Sequence, residues 1–159
     1  ESLVGYEDKV WREYQGQRYA ITTGEHCDSG CLTLLHQDGV GGLQAKHRDG
    51  TWLDVPAIEG SLVINLGDLM QRWTNDLFVA TEHRVLGFGP PRESIPFFFE
   101  PRVDAVSDCL PGYEAVGTRR RPVVYGDYLI VKSQRFPEFR GFLPMPEGFT
   151  AAEIAEIAG

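Results

Sequence analysis

Short runs rich in β-branched, aromatic and leucine residues dominate the first hundred positions of the chain. Each run is four to seven residues long, and Gly, Asp and Asn residues stand between most of them. Such runs are typical of β-strands, and strands without long helices between them favour an antiparallel sandwich or barrel. The predicted strands are 31–36, 42–47, 51–55, 61–66, 77–80, 83–88 and 94–100. The pattern predicts a mainly β domain, and a jelly roll fits it well.

Turn residues divide the rest of the sequence. Asp49-Gly50 separates two predicted strands and is typical of a tight hairpin, because both residues tolerate positive φ. Residues 103–122 contain two Gly and two Pro and are predicted to form a loop. Residues 126–135 fit either a helix capped by Asp127 or a further strand, and we favour the helix.

Two short helices are indicated by capping boxes, in which an N-cap acceptor is followed three residues later by Glu or Gln. Asp68 and Gln71 have this spacing and predict one or two helical turns over 69–73. Thr150 and Glu153 repeat the spacing and predict a short C-terminal helix. The sequence therefore predicts short helices that flank a β core.

The acidic balance and the sparse cysteines exclude several classes of protein. With 15 Lys and Arg against 23 Asp and Glu, the net charge of −8 argues against a general affinity for nucleic acid or an anionic membrane. Cys27, Cys31 and Cys109 are too few for a disulfide scaffold, so we expect reduced thiols and a cytoplasmic location. No apolar run approaches the roughly 18 residues of a membrane span.

The spacing of two histidines and an aspartate indicates a metal site. Residues i and i+2 of an extended segment project from the same face, so His26 and Asp28 can point together into a barrel. His83 begins another predicted strand 55 residues after Asp28, far enough for the chain to cross a barrel and return. Two imidazoles and one carboxylate form a facial triad, which binds iron(II) and leaves coordination positions open.

A carboxylate-binding pair is predicted close to that metal site. Arg92 follows nine residues after His83, and Ser94 lies on the same face two residues further on. A guanidinium offers a carboxylate two parallel N–H donors, and a neighbouring hydroxyl adds a third hydrogen bond. The two residues therefore predict a cationic socket for a carboxylate.

A zinc site built from cysteines is the main competing interpretation. Cys27 and Cys31 are close in sequence to His26 and His36, but their spacing matches no standard zinc finger and would scatter the ligands over both faces of a strand. His36 and His47 have no partner at ligand spacing, and we interpret both as ordinary histidines. The facial triad is the favoured interpretation.

These motifs resemble those of the iron(II)- and 2-oxoglutarate-dependent oxygenases, in the branch that includes isopenicillin N synthase. The resemblance rests on His26-x-Asp28, His83 and Arg92-x-Ser94, in this order and at these spacings. Five further stretches carry it across about residues 14–142, namely GCLTLLHQD (30–38), GGLQ (41–44), NLGDLMQRWTND (65–76), ATEHRV (80–85) and SIPFFFEP (94–101).

The resemblance implies a fold, a ligand set and a co-substrate. The fold of the family is a double-stranded β-helix, a jelly-roll core that holds iron inside its mouth. By resemblance, His26, Asp28 and His83 ligate Fe(II). Arg92 and Ser94 bind the distal carboxylate of 2-oxoglutarate.

A tyrosine upstream of the first metal ligand also reaches the co-substrate in the family, and Tyr19 is the nearest candidate here. The implied activity is oxidation of a small organic substrate with O2, by hydroxylation, desaturation or ring chemistry, with release of succinate and CO2. Two alternatives stay open. One is an isopenicillin N synthase-like iron oxidase that does not use 2-oxoglutarate, and the other is an inactive fragment that retains the metal motif.

Members of the family are longer than this chain, and their iron motif normally lies past the middle of the sequence. Here the motif begins at residue 26, so the resemblance implies that an upstream region is missing. We predict a remnant of that region over 1–13, a jelly-roll domain over 14–102, and a C-terminal loop and helical extension over 103–159. Sheet edges are then expected to be exposed, and self-association through them is predicted.

Overall fold

Ten β-strands and three α-helices form the part of the chain that the computed structural model describes, which is residues 10–87, 89, 91–117, 119–136 and 139–158. In chain order the elements are β1 (Trp11–Tyr14), β2 (Gln17–His26), β3 (Leu32–Gln37), β4 (Leu43–Lys46), β5 (Trp52–Asp54), β6 (Val63–Leu66), α1 (Asp68–Trp73), β7 (His83–Gly87), β8 (Ser94–Phe99), β9 (Val106–Ser107), β10 (Val123–Val124), α2 (Tyr125–Ser133) and α3 (Ala151–Ala158). The predicted mainly β class is confirmed.

Two antiparallel sheets face each other across a cavity. One has five strands in the order β1-β2-β7-β4-β5, and the other has three in the order β6-β3-β8. Side chains from both sheets line the same cavity. This arrangement is the predicted jelly roll, or double-stranded β-helix, with short helices at its flank.

Strand register divides the three-stranded sheet into a cavity face and an outer face. Thr33 lies opposite Asn65 and Phe98, and all three side chains line the cavity. The next residue along each strand points the other way, because side chains alternate between the faces. This outer apolar face includes Ile64, Ile95, Phe97 and Phe99, each more than half exposed.

A buried hydrophobic cluster lies around the helices. It consists of Cys31, Leu69, Val123, Tyr125, Tyr128, Val131 and Ile157. Helix α2 confirms the preferred interpretation of residues 126–135, although Val124 rather than Asp127 is its N-cap residue. The interior between the sheets is a cavity, so the tightly packed core lies beside it.

The two predicted capping boxes have different outcomes. Thr150 and Glu153 form theirs, with the backbone N–H of Thr150 donating to Glu153 Oε2 over 2.8 Å and the backbone N–H of Glu153 donating to Thr150 Oγ1 over 3.2 Å. The box predicted at Asp68 and Gln71 is wrong. Gly67 is the N-cap residue, without a side-chain cap, because Asp68 is already the first helical residue.

The strand predicted over residues 77–80 is wrong. Asn75 and Asp76 adopt positive φ angles of 47° and 67°, and they turn the chain sharply after α1. The backbone N–H of Ala80 then donates to Gln71 Oε1 over 2.8 Å. In a β-strand this backbone N–H would donate to a carbonyl oxygen of a neighbouring strand, but here it donates to a side chain.

The remaining local predictions hold in part. The Asp49-Gly50 hairpin is confirmed, since it joins β4 to β5 with Gly50 at a φ of 89°. The predicted loop 103–122 contains the short strand β9, which pairs with β10. Position 88 of the predicted strand 83–88 and residues 1–9 of the predicted remnant 1–13 lie outside the described residues, and the domain boundaries stay predictions. None of the helices in the described ranges is long and apolar enough to cross a membrane.

Candidate metal centre

Two histidines face each other on neighbouring strands of the five-stranded sheet. His26 ends β2 and His83 begins β7, and the antiparallel register places them directly opposite each other. Directly opposed residues project from the same face, and both rings line the cavity. The ring centroids are 4.3 Å apart.

Asp28 completes the cluster from the segment that follows β2. Its Oδ1 atom lies 3.5 Å from His26 Nε2 and 3.6 Å from His83 Nε2. One donor atom from each residue lies within 4.8 Å of the others. The structure therefore brings together the three residues that the spacing predicted.

Backbone carbonyls fix the orientation of both imidazole rings. His26 Nδ1 lies 2.7 Å from the carbonyl oxygen of Gly24, and His83 Nδ1 lies 3.0 Å from that of Thr81. A carbonyl oxygen only accepts, so each Nδ1 carries the proton and donates it. Both Nε2 atoms are left to face Asp28, which is the arrangement usual for histidine ligands of metals.

Thr33 and Asn65 hold the other oxygen of Asp28. The hydroxyl of Thr33 donates to Oδ2, and Asn65 Nδ2 donates to the same atom over 2.8 Å. Burial alone raises the pKa of Asp28, but the contact with His26 and the hydrogen bonds from Asn65 and Thr33 hold it well below its usual value. The same contact with Asp28 raises the pKa of His26 against the opposing effect of burial. Sequence reasoning missed Thr33 and Asn65, because nothing in their spacing marks them.

The donor set fits a divalent ion of the first transition row. Such ions bind nitrogen and oxygen at about 2.0–2.2 Å, so two ligand atoms at right angles lie about 3 Å apart. The Nε2–Oδ1 distances of 3.5 and 3.6 Å are slightly longer than this. Two imidazoles and one carboxylate form the triad that suits iron(II).

The zinc alternative is wrong for the described part of the chain. Cys31 is buried in the helical core, and the thiol of Cys27 faces the carbonyl oxygen of Ala80 at 3.8 Å. Among the residues that the structure describes, His26, Asp28 and His83 are the one group of three His, Cys, Asp or Glu side chains close enough to share an ion.

The cavity has a volume of about 220 Å³ and also contains the predicted carboxylate socket. Arg92 Nη1 donates to Ser94 Oγ over 3.0 Å, and Arg92 Nε donates to the carbonyl oxygen of Gly41 over 2.7 Å. Arg92 Nη2 donates to Gln37 Oε1 over 3.3 Å. A guanidinium has five N–H donors, so two remain for a ligand. Apolar side chains that include Leu35, Leu43, Val63 and Val85 line the same cavity.

Tyr19 is not brought to the cavity. Its neighbour Ala20 lies opposite Gly87, and Gly87 is on the same face of β7 as Val85, which lines the cavity. Ala20 is therefore on the cavity face of β2, and the Tyr19 side chain lies on the opposite face. The Tyr19 hydroxyl donates to Gln17 Oε1 over 2.6 Å. Its role in co-substrate binding stays a prediction.

Comparison with known proteins gives the family. Residues 8–101 match a family model described as the 2OG-Fe(II) oxygenase superfamily. The chain belongs to this superfamily. The matched residues include His26, Asp28 and His83, the pair Arg92 and Ser94, and both sheets of the jelly roll.

Relatives within the 2OG-Fe(II) oxygenase superfamily include proteins of a fungus and a plant. The chain is 51% identical over 90 residues to 2-oxoglutarate-Fe(II) type oxidoreductase hxnY of Emericella nidulans, a match that covers 55% of this chain and 26% of the relative. It is 42% identical over 113 residues to feruloyl CoA ortho-hydroxylase 1 of Arabidopsis thaliana, which covers 69% of this chain and 31% of the relative. The chain thus spans about a quarter to a third of the length of these curated relatives.

Solved structures of the superfamily have the same fold. A full-length protein of Neurospora crassa, crystallised in complex with alpha-KG, superposes with a TM-score of 0.65 at 38% identity, over 69% of this chain and 39% of the fungal chain. The rice dioxygenase for auxin oxidation superposes with a TM-score of 0.66 at 26% identity, over 84% of this chain and 50% of that enzyme.

Proposed function

We propose that this chain forms the catalytic domain of an oxygenase that depends on iron(II) and 2-oxoglutarate. The observation that carries the proposal is one cavity with two sites in it. The cluster of His26, Asp28 and His83 lies at one of them, and Arg92 with Ser94 lies at the other. A keto dicarboxylate needs both, since one end chelates a metal and the other is an anion.

The metal centre is the first part of this function. His26, Asp28 and His83 would hold the iron through two Nε2 atoms and one carboxylate oxygen. Iron(II) bound there with 2-oxoglutarate would activate O2 to oxidise a small organic substrate, with release of succinate and CO2. The hydrogen bonds to Asp28 Oδ2 favour binding through Oδ1 alone, which keeps more of the coordination sphere open.

The carboxylate socket is the second part. Gly41 and Gln37 fix the Arg92 guanidinium on one side, so its remaining N–H groups are held ready for the distal carboxylate of the co-substrate. Ser94 accepts a hydrogen bond from Arg92, which leaves its own hydroxyl hydrogen to donate to the same carboxylate. The apolar walls strengthen these interactions because they exclude water.

The substrate that we propose is a small organic molecule. The Neurospora crassa relative has been crystallised with alpha-KG and thymine, and the rice relative is described as a dioxygenase for auxin oxidation. Each of these is a small molecule, and a cavity of about 220 Å³ lies below the roughly 300–1,000 Å³ typical of ligand pockets, which favours a small substrate.

Anaerobic titration separates this proposal from its two alternatives. Fe(II) is added first and 2-oxoglutarate second, and the weak visible charge-transfer band of the iron chelate is recorded. A band supports the proposed function. Iron binding without a band favours an oxidase that does not use 2-oxoglutarate, and no iron binding favours an inactive fragment.

Variants of the two sites make the titration specific. Asp28→Ala and His83→Ala are expected to abolish the band, and a band that survives both refutes the ligand set. Arg92→Ala is expected to weaken 2-oxoglutarate at least tenfold and to spare iron, because charge-assisted hydrogen bonds contribute about 1.5–3 kcal/mol each. Arg102→Ala is the control, since Arg102 is exposed and pairs with Asp104 outside the cavity.

We also propose that the chain self-associates through its three-stranded sheet. Strand β8 has β3 as its neighbour and forms an edge of this sheet in the described part of the chain. Ile95, Phe97 and Phe99 on β8 are 68%, 60% and 56% exposed. Contiguous exposed apolar side chains of this kind favour association.

A further inference from the structure

A buried arginine lies directly behind the two histidines, on the outer face of the five-stranded sheet. Arg84 follows His83 in β7 and is only 5% exposed. Arg84 Nε donates to Gln44 Oε1 over 2.9 Å, and Arg84 Nη1 donates to Glu25 Oε1 over 2.9 Å. Its guanidinium also lies over the ring of Trp52, 4.0 Å from the centroid. One side chain on β7 is thereby joined to β2, β4 and β5.

The backbone pairing of β2 with β7 is irregular where these contacts occur. Ile21 lies opposite Leu86, but the register shifts between Ile21 and Thr23 and again between Thr23 and His26. From Thr23 to His26 the chain advances three residues on β2, whereas β7 advances two from Val85 to His83. Such a bulge interrupts the hydrogen-bond ladder, so the ladder alone holds the end of β2 loosely.

We infer that Arg84 is a positioning residue for the candidate metal centre. Its ion pair with Glu25 clamps the end of β2 to β7 at the bulge, and this clamp fixes the separation of the two histidine rings. Glu25 and Arg84 are the immediate neighbours of His26 and His83, so movement between the strands there moves the rings directly. This inference rests on the proposed function, because it concerns the affinity of the same metal site.

The chemistry of arginine suits this role. The planar guanidinium reaches Gln44 and Glu25 with different nitrogens while its face lies on Trp52. A lysine ammonium is a point charge without this fork, so it can keep the pair with Glu25 but not all three contacts. Burial limits the competing water that weakens exposed ion pairs.

The direction in which metal affinity changes when Arg84 is replaced distinguishes a positioning role from a purely electrostatic effect of its charge. A positive charge close to a divalent ion opposes binding of that ion, so removal of Arg84 would tighten metal binding if charge alone mattered. Loss of positioning weakens metal binding instead. Removal of Glu25 weakens binding through either effect and needs a matched control.

Glu82 is that control. Like Glu25, it immediately precedes a ligand histidine, and the two side chains are 37% and 36% exposed. Glu82 pairs with Lys46 over 2.8 Å, and Glu25 pairs with Arg84 over 2.9 Å. The Glu82 pair joins the segment before β7 to β4 and does not bridge the two histidine strands.

The experiment measures the dissociation constant of Co(II), an air-stable substitute for Fe(II), by visible absorption, together with the melting temperature of the metal-free protein. The variants are Glu25→Ala, Arg84→Met, Arg84→Lys and Glu82→Ala. We expect about tenfold or greater weakening for Glu25→Ala and Arg84→Met, in the range found for residues that orient metal ligands. Arg84→Lys should recover part of the affinity, and Glu82→Ala should stay within about threefold of wild type.

Two results would overturn the inference while the metal site stands. In the first, the wild-type protein binds Co(II) and the Arg84→Met variant binds it equally tightly or more tightly. The other is a Glu25→Ala variant that weakens binding no more than Glu82→Ala does. If Arg84→Met fails to fold, the comparison of Glu25→Ala with Glu82→Ala decides the matter. A wild-type protein that binds no Co(II) refutes the proposed function itself.

Discussion

Gly67 offers a sharp test of how the metal centre is supported. It precedes α1, where the backbone N–H of Asp68 donates to the carbonyl oxygen of Asp28 over 2.7 Å and that of Leu69 donates to the carbonyl oxygen of Gly30 over 3.2 Å. A Cβ atom at Gly67 would lie 2.3 Å from the Gly30 carbonyl oxygen and 2.8 Å from that of Asp28. Both contacts are with backbone, which cannot rotate away. Gly67→Ala must therefore push the helix away from the segment that carries Asp28.

The expected loss of stability follows from these contacts. Gly67 has a φ of −98°, which alanine adopts readily, so the conformational effect alone would stabilise the protein by about 0.4–1 kcal/mol. Overpacking opposes it and costs about 1–3 kcal/mol. Weakening of the backbone hydrogen bonds to Asp28 and Gly30 costs about 1 kcal/mol for each. A net loss of about 3 kcal/mol lowers the melting temperature by about 6–12 °C in a chain of this size.

Thermal melts followed by circular dichroism measure this effect, with two glycine variants as controls. A Cβ atom at Gly30 would meet the side chain of Glu100 at 2.8 Å, which can rotate, and a Cβ atom at Gly24 meets nothing within 4 Å. The order of destabilisation should be Gly67→Ala, then Gly30→Ala, then Gly24→Ala. Co(II) affinity should fall in Gly67→Ala as well. A melting temperature equal to or above that of wild type in Gly67→Ala would refute the reasoning.

Two further predictions concern the C-terminal helix and the outer apolar face. Hydrogen bonds from Arg121 and Thr150 lower the pKa of Glu153 from 4.5 to about 2, so its contribution to stability is complete above about pH 4.5 and is lost as the pH falls toward 2. Glu153→Gln should therefore lower the melting temperature more at pH 7 than at pH 3, and equal shifts would contradict this. In sedimentation velocity the wild type should form dimers as concentration rises, and Phe97→Ser should reduce them while Ile58→Ser, exposed outside both sheets, should not. A wild type that stays monomeric at every concentration would count against self-association.

The sequence was sufficient to predict which three side chains lie together at the candidate metal centre, and the class of fold. The prediction of His26 and Asp28 depends on local geometry, because residues two apart in an extended segment project from the same side, and Asp28 lies just after the end of β2. The capping box of Thr150 and Glu153 was predictable for the same reason. His83 was predicted from its position at the start of another strand-like run, and the motif resemblance supported it, since spacing alone does not show which strand becomes the neighbour of β2.

Features that depend on tertiary pairing could not be predicted in this way. Thr33 and Asn65 bind Asp28 because β3 and β6 are neighbours in the second sheet, and no local pattern shows that pairing. The apolar run 77–80 has the composition of a strand. However, the positive φ angles of the two residues before it turn the chain, and the backbone N–H of Ala80 donates to the Gln71 side chain. In both cases a contact outside the segment itself decided the outcome over local preference.

The separation of the packed core from the cavity determines which positions of this domain tolerate amino-acid substitution. The core of α1, α2 and α3 includes Leu69, Tyr125 and Val131, and no residue of that cluster lines the cavity. Cavity side chains such as Val55 and Val63 are only partly buried and border open space on one side. Replacing them removes little packing energy, because dispersion contacts are lost only where atoms touch. The cavity walls can therefore diversify in sequence while the helical cluster continues to hold the fold.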